Sequence, residues 1–185
     1  MQIQCDCGAF KANLTNFPAN SPGRLMCYCD DCQHYLEKID REDLLDAYGG
    51  TEVIPVYPSE ISIAQGREQL VCNQLSRKGL YRWSTRCCNS PIGNIKVGFP
   101  WLGIFHSAVR AANPDYAEKL GPVKSRISGR YAKGEPPFKI ASKIGFKDML
   151  TVLPFVVKGK LTGKHKNSPL FEADNSTPIV PPRQL

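Results

Sequence analysis

The sequence predicts a mainly β fold of short strands, followed by a mixed helical and irregular C-terminal extension. Three observations predict it. Glycine and proline are frequent, 15 of each in 185 residues, which favours short strands and turns over a helix bundle. From Thr51 the chain breaks into short β-type apolar runs punctuated by Pro58, Gly66 and Gly79. Seven of the eight cysteines fall in three clusters, a spacing that lets separate turns share a metal ion.

Taken in order, Gln2-Ile3-Gln4 and Ala9 to Leu14 read as strands flanking the turn Cys5-Asp6-Cys7-Gly8, where Gly8 permits the positive φ of a metal knuckle. A Pro- and Asn-rich loop, Asn16 to Gly23, leads to a strand from Arg24 to Tyr28. Asp30 is the expected cap of a helix whose apolar positions are Tyr35, Leu36 and Ile39. A second helical stretch is expected from Asp43 to Tyr48, stopping at Gly49-Gly50. Strands follow at Val53–Tyr57, Ile61–Ala64, Glu68–Asn73, Leu80–Ser84 and Asn94–Val97. Beyond them, Pro114 opens a short helix to Leu120. Ile140, Ile144, Leu150, Leu153 and Val157 suggest an amphipathic helix that Pro154 kinks or limits. The tail from Lys164 to Leu185 reads as extended and mobile.

A hydrophobic fraction of 42% with 22% charged residues fits a folded globular chain. The longest apolar-leaning stretch free of charge, Val97 to Val109, is too short to span a bilayer. The first residues carry no signal-peptide pattern, so a cytoplasmic chain with reduced cysteines is expected, and a membrane is not expected among its partners. The net charge of +7 is uneven: residues 1–109 carry a net −1 and residues 110–185 a net +8. We therefore expect a cysteine-bearing domain over 1–109 and a basic extension over 110–185 packed on it.

The clusters are Cys5-x-Cys7, Cys27-x-Cys29-x-x-Cys32 and Cys87-Cys88. One buried cysteine pair needs no metal to explain it; three clusters in a reducing compartment point to zinc. Seven thiolates divide as four and three. A four-thiolate shell is closed and structural, whereas three thiolates leave one coordination position for water or substrate.

Cys5-Asp6-Cys7-Gly8-Ala9 and Cys27-Tyr28-Cys29-Asp30-Asp31-Cys32, followed by Arg82-Trp83-Ser84-Thr85-Arg86-Cys87-Cys88-Asn89-Ser90-Pro91, resemble the signature of the glutathione-dependent formaldehyde-activating enzymes and their centromere protein V relatives. The resemblance covers about residues 1–108. It implies a β-tent fold of small antiparallel sheets with two zinc ions, one structural and one catalytic. Cys5 and Cys7 with Cys87 and Cys88 would hold the structural ion, and Cys27, Cys29 and Cys32 the catalytic one. The third element departs from the family turn: Thr85 stands where its first cysteine belongs, and Asn89 where a glycine is usual. Cys87 is the nearest replacement, and Cys72 is a competing fourth ligand. Adjacent residues of an extended chain point to opposite sides, so Cys87 and Cys88 can share an ion only on a bent turn.

The activity implied is that of a carbon–sulfur lyase, joining a thiol such as glutathione to formaldehyde or another small aldehyde, or the reverse. The departures fit a separate branch of that family rather than the formaldehyde enzyme itself. His34 is a candidate proton shuttle, although a histidine there also reads as an exposed helix residue. Asp30 and Asp31 read as helix cap and first-turn acid, and Tyr81 and Trp83 as core. Two rivals differ in class. A non-catalytic zinc module would bind nucleic acid or protein through Lys158, Lys160, Lys164 and Lys166, but no recognition helix is evident and nucleic acid is not the expected partner. A redox-sensing thiol protein would first have to lose its zinc.

Overall fold

The strands of the computed structural model, which describes residues 1–143 and 145–185 and only the backbone of Phe146 and Lys147, are β1 (Gln2–Gln4), β2 (Lys11–Leu14), β3 (Leu25–Cys27), β4 (Thr51–Val56), β5 (Ile61–Gln65), β6 (Leu70–Gln74), β7 (Tyr81–Thr85), β8 (Pro91–Ile95), β9 (Leu102–Phe105), β10 (Ser125–Ile127) and β11 (Arg183–Gln184). The helices are α1 (Asp30–Lys38), α2 (His106–Ala112), α3 (Tyr116–Leu120) and α4 (Phe146–Leu161). A small antiparallel sheet has the order β1-β2-β5. A large one runs β10-β3-β4-β9-β8-β7-β6-β11, antiparallel through its middle with β10 and β11 added parallel at its edges.

Two apolar clusters share the large sheet. One sets Ile3, Phe10, Ala12 and Leu14 of the small-sheet region against Ile54, Leu70, Trp83, Leu102 and Ile104. The other places Tyr35, Leu36 and Ile39 of the α1 segment against Leu25, Val53 and Phe105. Along β4 and β9, alternate side chains feed alternate clusters, as the two-residue period of a strand requires. Strands covered on both faces lose the polar-apolar alternation that marks a half-buried strand. That is why β9, buried at every position, gives no signal in the sequence. Helix α2 follows it directly, with Phe105 as a cap residue lacking any side-chain cap bond, so no start signal marks that helix either.

The sequence reading needs four corrections. The N-cap of α1 is Cys29 rather than Asp30: its sulfur accepts the Cys32 backbone N–H. Asp30 is instead the first helical residue, where with Asp31 it suits the positive end of the helix dipole. The helix expected over Asp43–Tyr48 shrinks to a single 3-10 turn, Glu42–Leu44. Asp46 Oδ1 there accepts the backbone N–H groups of Tyr48 and Gly50, both at 2.8 Å, a local bond that competes with helix continuation. The tail is no loose extension. Leu170 and Phe171 are buried, and Arg183 bonds Asn73 Oδ1 through Nε at 2.6 Å where β11 joins β6.

The last correction concerns the amphipathic helix: Ile140 precedes α4, and Pro154 lies inside it and does not end it; Ile144, expected on the same helix, lies outside the described residues. An interior proline costs a helix about 3 kcal/mol, and docking sets packing against that cost. Phe155 stacks on Tyr57 with ring centroids 4.1 Å apart and meets Trp101 edge-on, and Tyr57 donates its hydroxyl to the Phe155 carbonyl at 2.8 Å. One turn on, a Cβ at Gly159 would lie 2.5 Å from the Tyr57 ring and 2.7 Å from Pro100. Gly159→Ala, which raises helix propensity by about 1 kcal/mol, should therefore destabilise the protein by about 1–3 kcal/mol through overpacking. Denaturant unfolding followed by tryptophan fluorescence measures it; a gain in stability would mean that the helix is not seated on Tyr57.

Candidate metal centres

The first centre grows from a knuckle after β1. The Gly8 N–H donates to the Cys5 carbonyl at 2.9 Å and the Cys5 N–H to the Phe10 carbonyl at 3.1 Å. Gly8 has a φ of 76°, a left-handed conformation that glycine adopts without a Cβ penalty. The Phe10 N–H in turn donates to Cys5 Sγ at 3.2 Å. Across from it, the chain turns after β7, with the Thr85 N–H donating to the Ser90 carbonyl and Asn89 at a φ of 52°. The bend brings Cys87 and Cys88 to one side with their sulfurs 3.7 Å apart. The Asp6 N–H donates to Ser90 Oγ at 2.9 Å and ties the turn to the knuckle.

The four sulfurs of Cys5, Cys7, Cys87 and Cys88 all lie within 4.8 Å of one another. Cys5 Sγ is 3.6 Å from that of Cys7 and 3.7 Å from that of Cys87. A tetrahedron with metal–sulfur bonds of about 2.3 Å has edges of about 3.8 Å, close to the three short sulfur–sulfur distances here. Burial raises the Cys88 thiol, but hydrogen bonds with Ser90, the Cys7 backbone and Thr85 outweigh it and bring the pKa down to about 6. Cys87 is pushed up to about 12, first by burial. Cys72 is not in the group: it is buried on β6 opposite Trp83.

The second centre occupies one short stretch. Cys27 ends β3, Cys29 caps α1 and Cys32 lies in the helix's first turn. Their sulfurs also lie within 4.8 Å of one another, with Cys27 and Cys29 3.3 Å apart. The intervening loop is pinned from several sides. Gln33 Nε2 donates to the carbonyls of Tyr28 and Tyr131 at 2.9 and 3.0 Å, and the Tyr28 hydroxyl donates to Asp46 at 2.9 Å. The sulfurs therefore gather at the positive end of a helix, where thiolates are favoured.

Sequence reasoning missed Arg82. Beside Tyr81 and Trp83 it read as one more residue of a packed strand, yet the period of two aims it at the face that α1 covers. It is 2% exposed. Its Nη2 lies 3.5 Å from Asp31 Oδ2 and its guanidinium carbon 5.2 Å from the Tyr35 ring centroid, so it sits against the helix turn that carries Cys32. Nη1 is buried with no hydrogen-bond partner among the described residues. The Cys32 thiol is held well below its ordinary value, first by sulfur contacts from Cys27 and Cys29 and then by Arg82. The same contacts push Cys27 up, with Cys29 the largest cause.

Other sequence candidates lie elsewhere. His34 is on the exposed side of α1, 3.7 Å from Glu37, and His106 is half-buried with Nδ1 3.3 Å from the Glu52 carbonyl. Trp83 is fully buried, and Tyr81 packs on Phe171.

The residues present fit two metal ions: two all-cysteine sets at metal-ligand spacing, the second beside a buried cation with a spare donor. Among solved structures, a crystal structure of a Rhodobacter sphaeroides protein is similar, with a TM-score of 0.44 and 21% identity over 66% of this chain and 97% of that one. No curated protein matches the sequence. Residues 1–180 match the profile of DUF6151, a family of unknown function, and the chain belongs to that family.

Proposed function

We propose that the chain holds two zinc ions, a structural one on Cys5, Cys7, Cys87 and Cys88 and a reactive one on Cys27, Cys29 and Cys32. At the second it joins a thiol such as glutathione to formaldehyde or another small aldehyde, or runs the reverse, as a carbon–sulfur lyase-like enzyme. The β-tent arrangement of the two sheets belongs to the same reading. The carrying observation is the inequality of the two cysteine sets, one with four sulfurs and the other with three at a helix N-terminus beside Arg82. The motif resemblance over residues 1–108 supports it.

A zinc ion in the three-sulfur set would act as a Lewis acid that lowers the pKa of a thiol from its free value of about 8.5. In the reaction a carbon–sulfur bond forms, the carbonyl π bond breaks, and the thiol proton ends on the new hydroxyl. The chain's own residues hold the geometry. Gln33 and Asp46 fix the Cys27-to-Cys32 loop, the α1 N-terminus favours the thiolates, and Arg82 offsets their surplus negative charge.

Metal analysis of protein purified under reducing conditions should find two zinc ions per chain. Cys7→Ser should lose one ion and much of the stability, because a closed shell contributes folding free energy directly. Cys32→Ser should lose or loosen the other, with a milder stability loss and no thiol–aldehyde chemistry. The reverse pattern of stabilities would exchange the two roles, and two ions retained in both variants would overturn the ligand assignment.

Arg82→Met should weaken zinc at the three-sulfur set by about 10- to 100-fold, the usual cost of losing an outer partner of a metal ligand, while Arg82→Lys keeps part of the affinity. Competition with a chromophoric chelator reads this out, and unchanged affinity in the Met variant would remove Arg82 from the site. Calorimetric titration with glutathione should show binding that S-methyl glutathione lacks. Equal binding of the two would mean that the thiol does not reach the metal.

A further inference from the structure

A surface with no part in the metal chemistry collects the exposed apolar side chains. Leu150, Leu153, Val157 and Leu161 of α4 are each between 45% and 82% exposed. Their spacing places them along one side of the helix, opposite the Phe155 and Gly159 face seated on Tyr57. The stripe runs about 16 Å. The β8–β9 loop, which passes the C-terminal half of the helix, carries Val97 and Phe99, both 39% exposed. That loop abuts the helix, since Lys160 Nζ donates to the Gly98 carbonyl and Gly159 approaches Pro100. Apart from Met149, on the same helix, these six are all the large apolar residues recorded as exposed among the described residues. Such a concentration marks an interaction site.

The rim of this face is positive. Lys158 and Lys160 lie on its two flanks, Lys96 precedes Val97, and Lys166 follows the helix, all exposed. Residues 149–171 contain four lysines and no acidic residue. A second copy of the chain would set these lysine rims against each other. A nucleic acid would match the lysines and leave the apolar stripe without a partner. An anionic bilayer matches both: leucine, valine and phenylalanine enter the headgroup boundary while lysines meet the phosphates.

We propose that this face docks the protein on the surface of a membrane rich in anionic lipid, with α4 lying in the interfacial plane. The sequence expectation of no membrane partner rests on the lack of a span and a signal peptide; no helix of the described residues is long and apolar enough to cross a membrane, and a surface contact needs none. It is independent of what the metal centres do.

The test is co-sedimentation of the full chain with large vesicles, either of phosphatidylcholine alone or with about a third phosphatidylglycerol. Binding to the anionic vesicles should be at least about tenfold tighter and should weaken as sodium chloride rises to about 0.5 M. The surface variants Leu153→Glu with Leu161→Glu, and separately Lys158→Ala with Lys160→Ala, should each lose about tenfold or more. Circular dichroism and zinc content serve to show that both remain folded. Failure to bind anionic vesicles, or equal binding to neutral ones, overturns the proposal. So does a dimer in light scattering that becomes monomeric in the glutamate variant, since the face would then be a self-interface.

Discussion

Sulfurs held in contact, which can all ionise only around a cation, are the constraint on which this structure depends. The sulfur of Cys5 lies 3.6 Å from that of Cys7 and 3.7 Å from that of Cys87. Two thiolates about 4 Å apart repel by about 4 kcal/mol at an effective dielectric of 20, so four such groups cannot all ionise without a cation among them. The group also bridges the architecture. Cys5 and Cys7 leave the small sheet, and Cys87, 82 residues beyond Cys5, leaves the large one. A cation here would join the two sheets beside the apolar cluster to which Cys5 belongs.

Strand β7 connects this constraint to the second centre. Trp83 enters the cluster facing the small sheet, Arg82 faces α1, and the turn beyond Thr85 delivers Cys87 and Cys88. A guanidinium is expensive to bury unless its charge is met. The Tyr35 ring and the largely exposed Asp31 meet part of it, and Nη1 is left over. The Cys32 thiol, held well below its ordinary value by its sulfur neighbours and then by Arg82, provides further counter-charge. Arg82 and Cys32 thus each make the other more tolerable, on a strand where Arg82 sits between the core aromatics Tyr81 and Trp83.

The cysteine groups were legible because ligand spacing is local: Cys5-x-Cys7 and Cys27-x-Cys29-x-x-Cys32 announce themselves whatever surrounds them. Strands β1 to β7 were legible from short apolar runs and turn residues, whereas β8, expected over Asn94–Val97, runs from Pro91 to Ile95. The adjacent Cys87-Cys88 pair was legible as a group but not in geometry, since the bend rests on Asn89 at positive φ and on the Ser90 bond to Asp6, a partner 84 residues away. Strand β9, helix α2 and Arg82 were hidden for one reason. Their character is set by what covers the large sheet on its second face, and no local pattern records that. The tail was misread in the same way, because burial of Leu170 and Phe171 depends on a surface built elsewhere in the chain.

Chain topology also separates the work of the two cysteine sets. The unfolded chain must close a long loop to bring Cys5 to Cys87, and the entropic cost of closure grows with loop length, so an ion there would be bound only by the assembled fold and would stabilise it in return. Cys27, Cys29 and Cys32 lie within six residues, and a cation there closes almost no loop. Its geometry is set in advance by the cap of α1, by Gln33 on Tyr28 and by Tyr28 on Asp46. A centre that contributes little to holding the fold together is free to leave a ligand position unfilled, whereas one that joins two sheets is not. The four-and-three division of sulfurs therefore follows from where the chain places them as much as from their number.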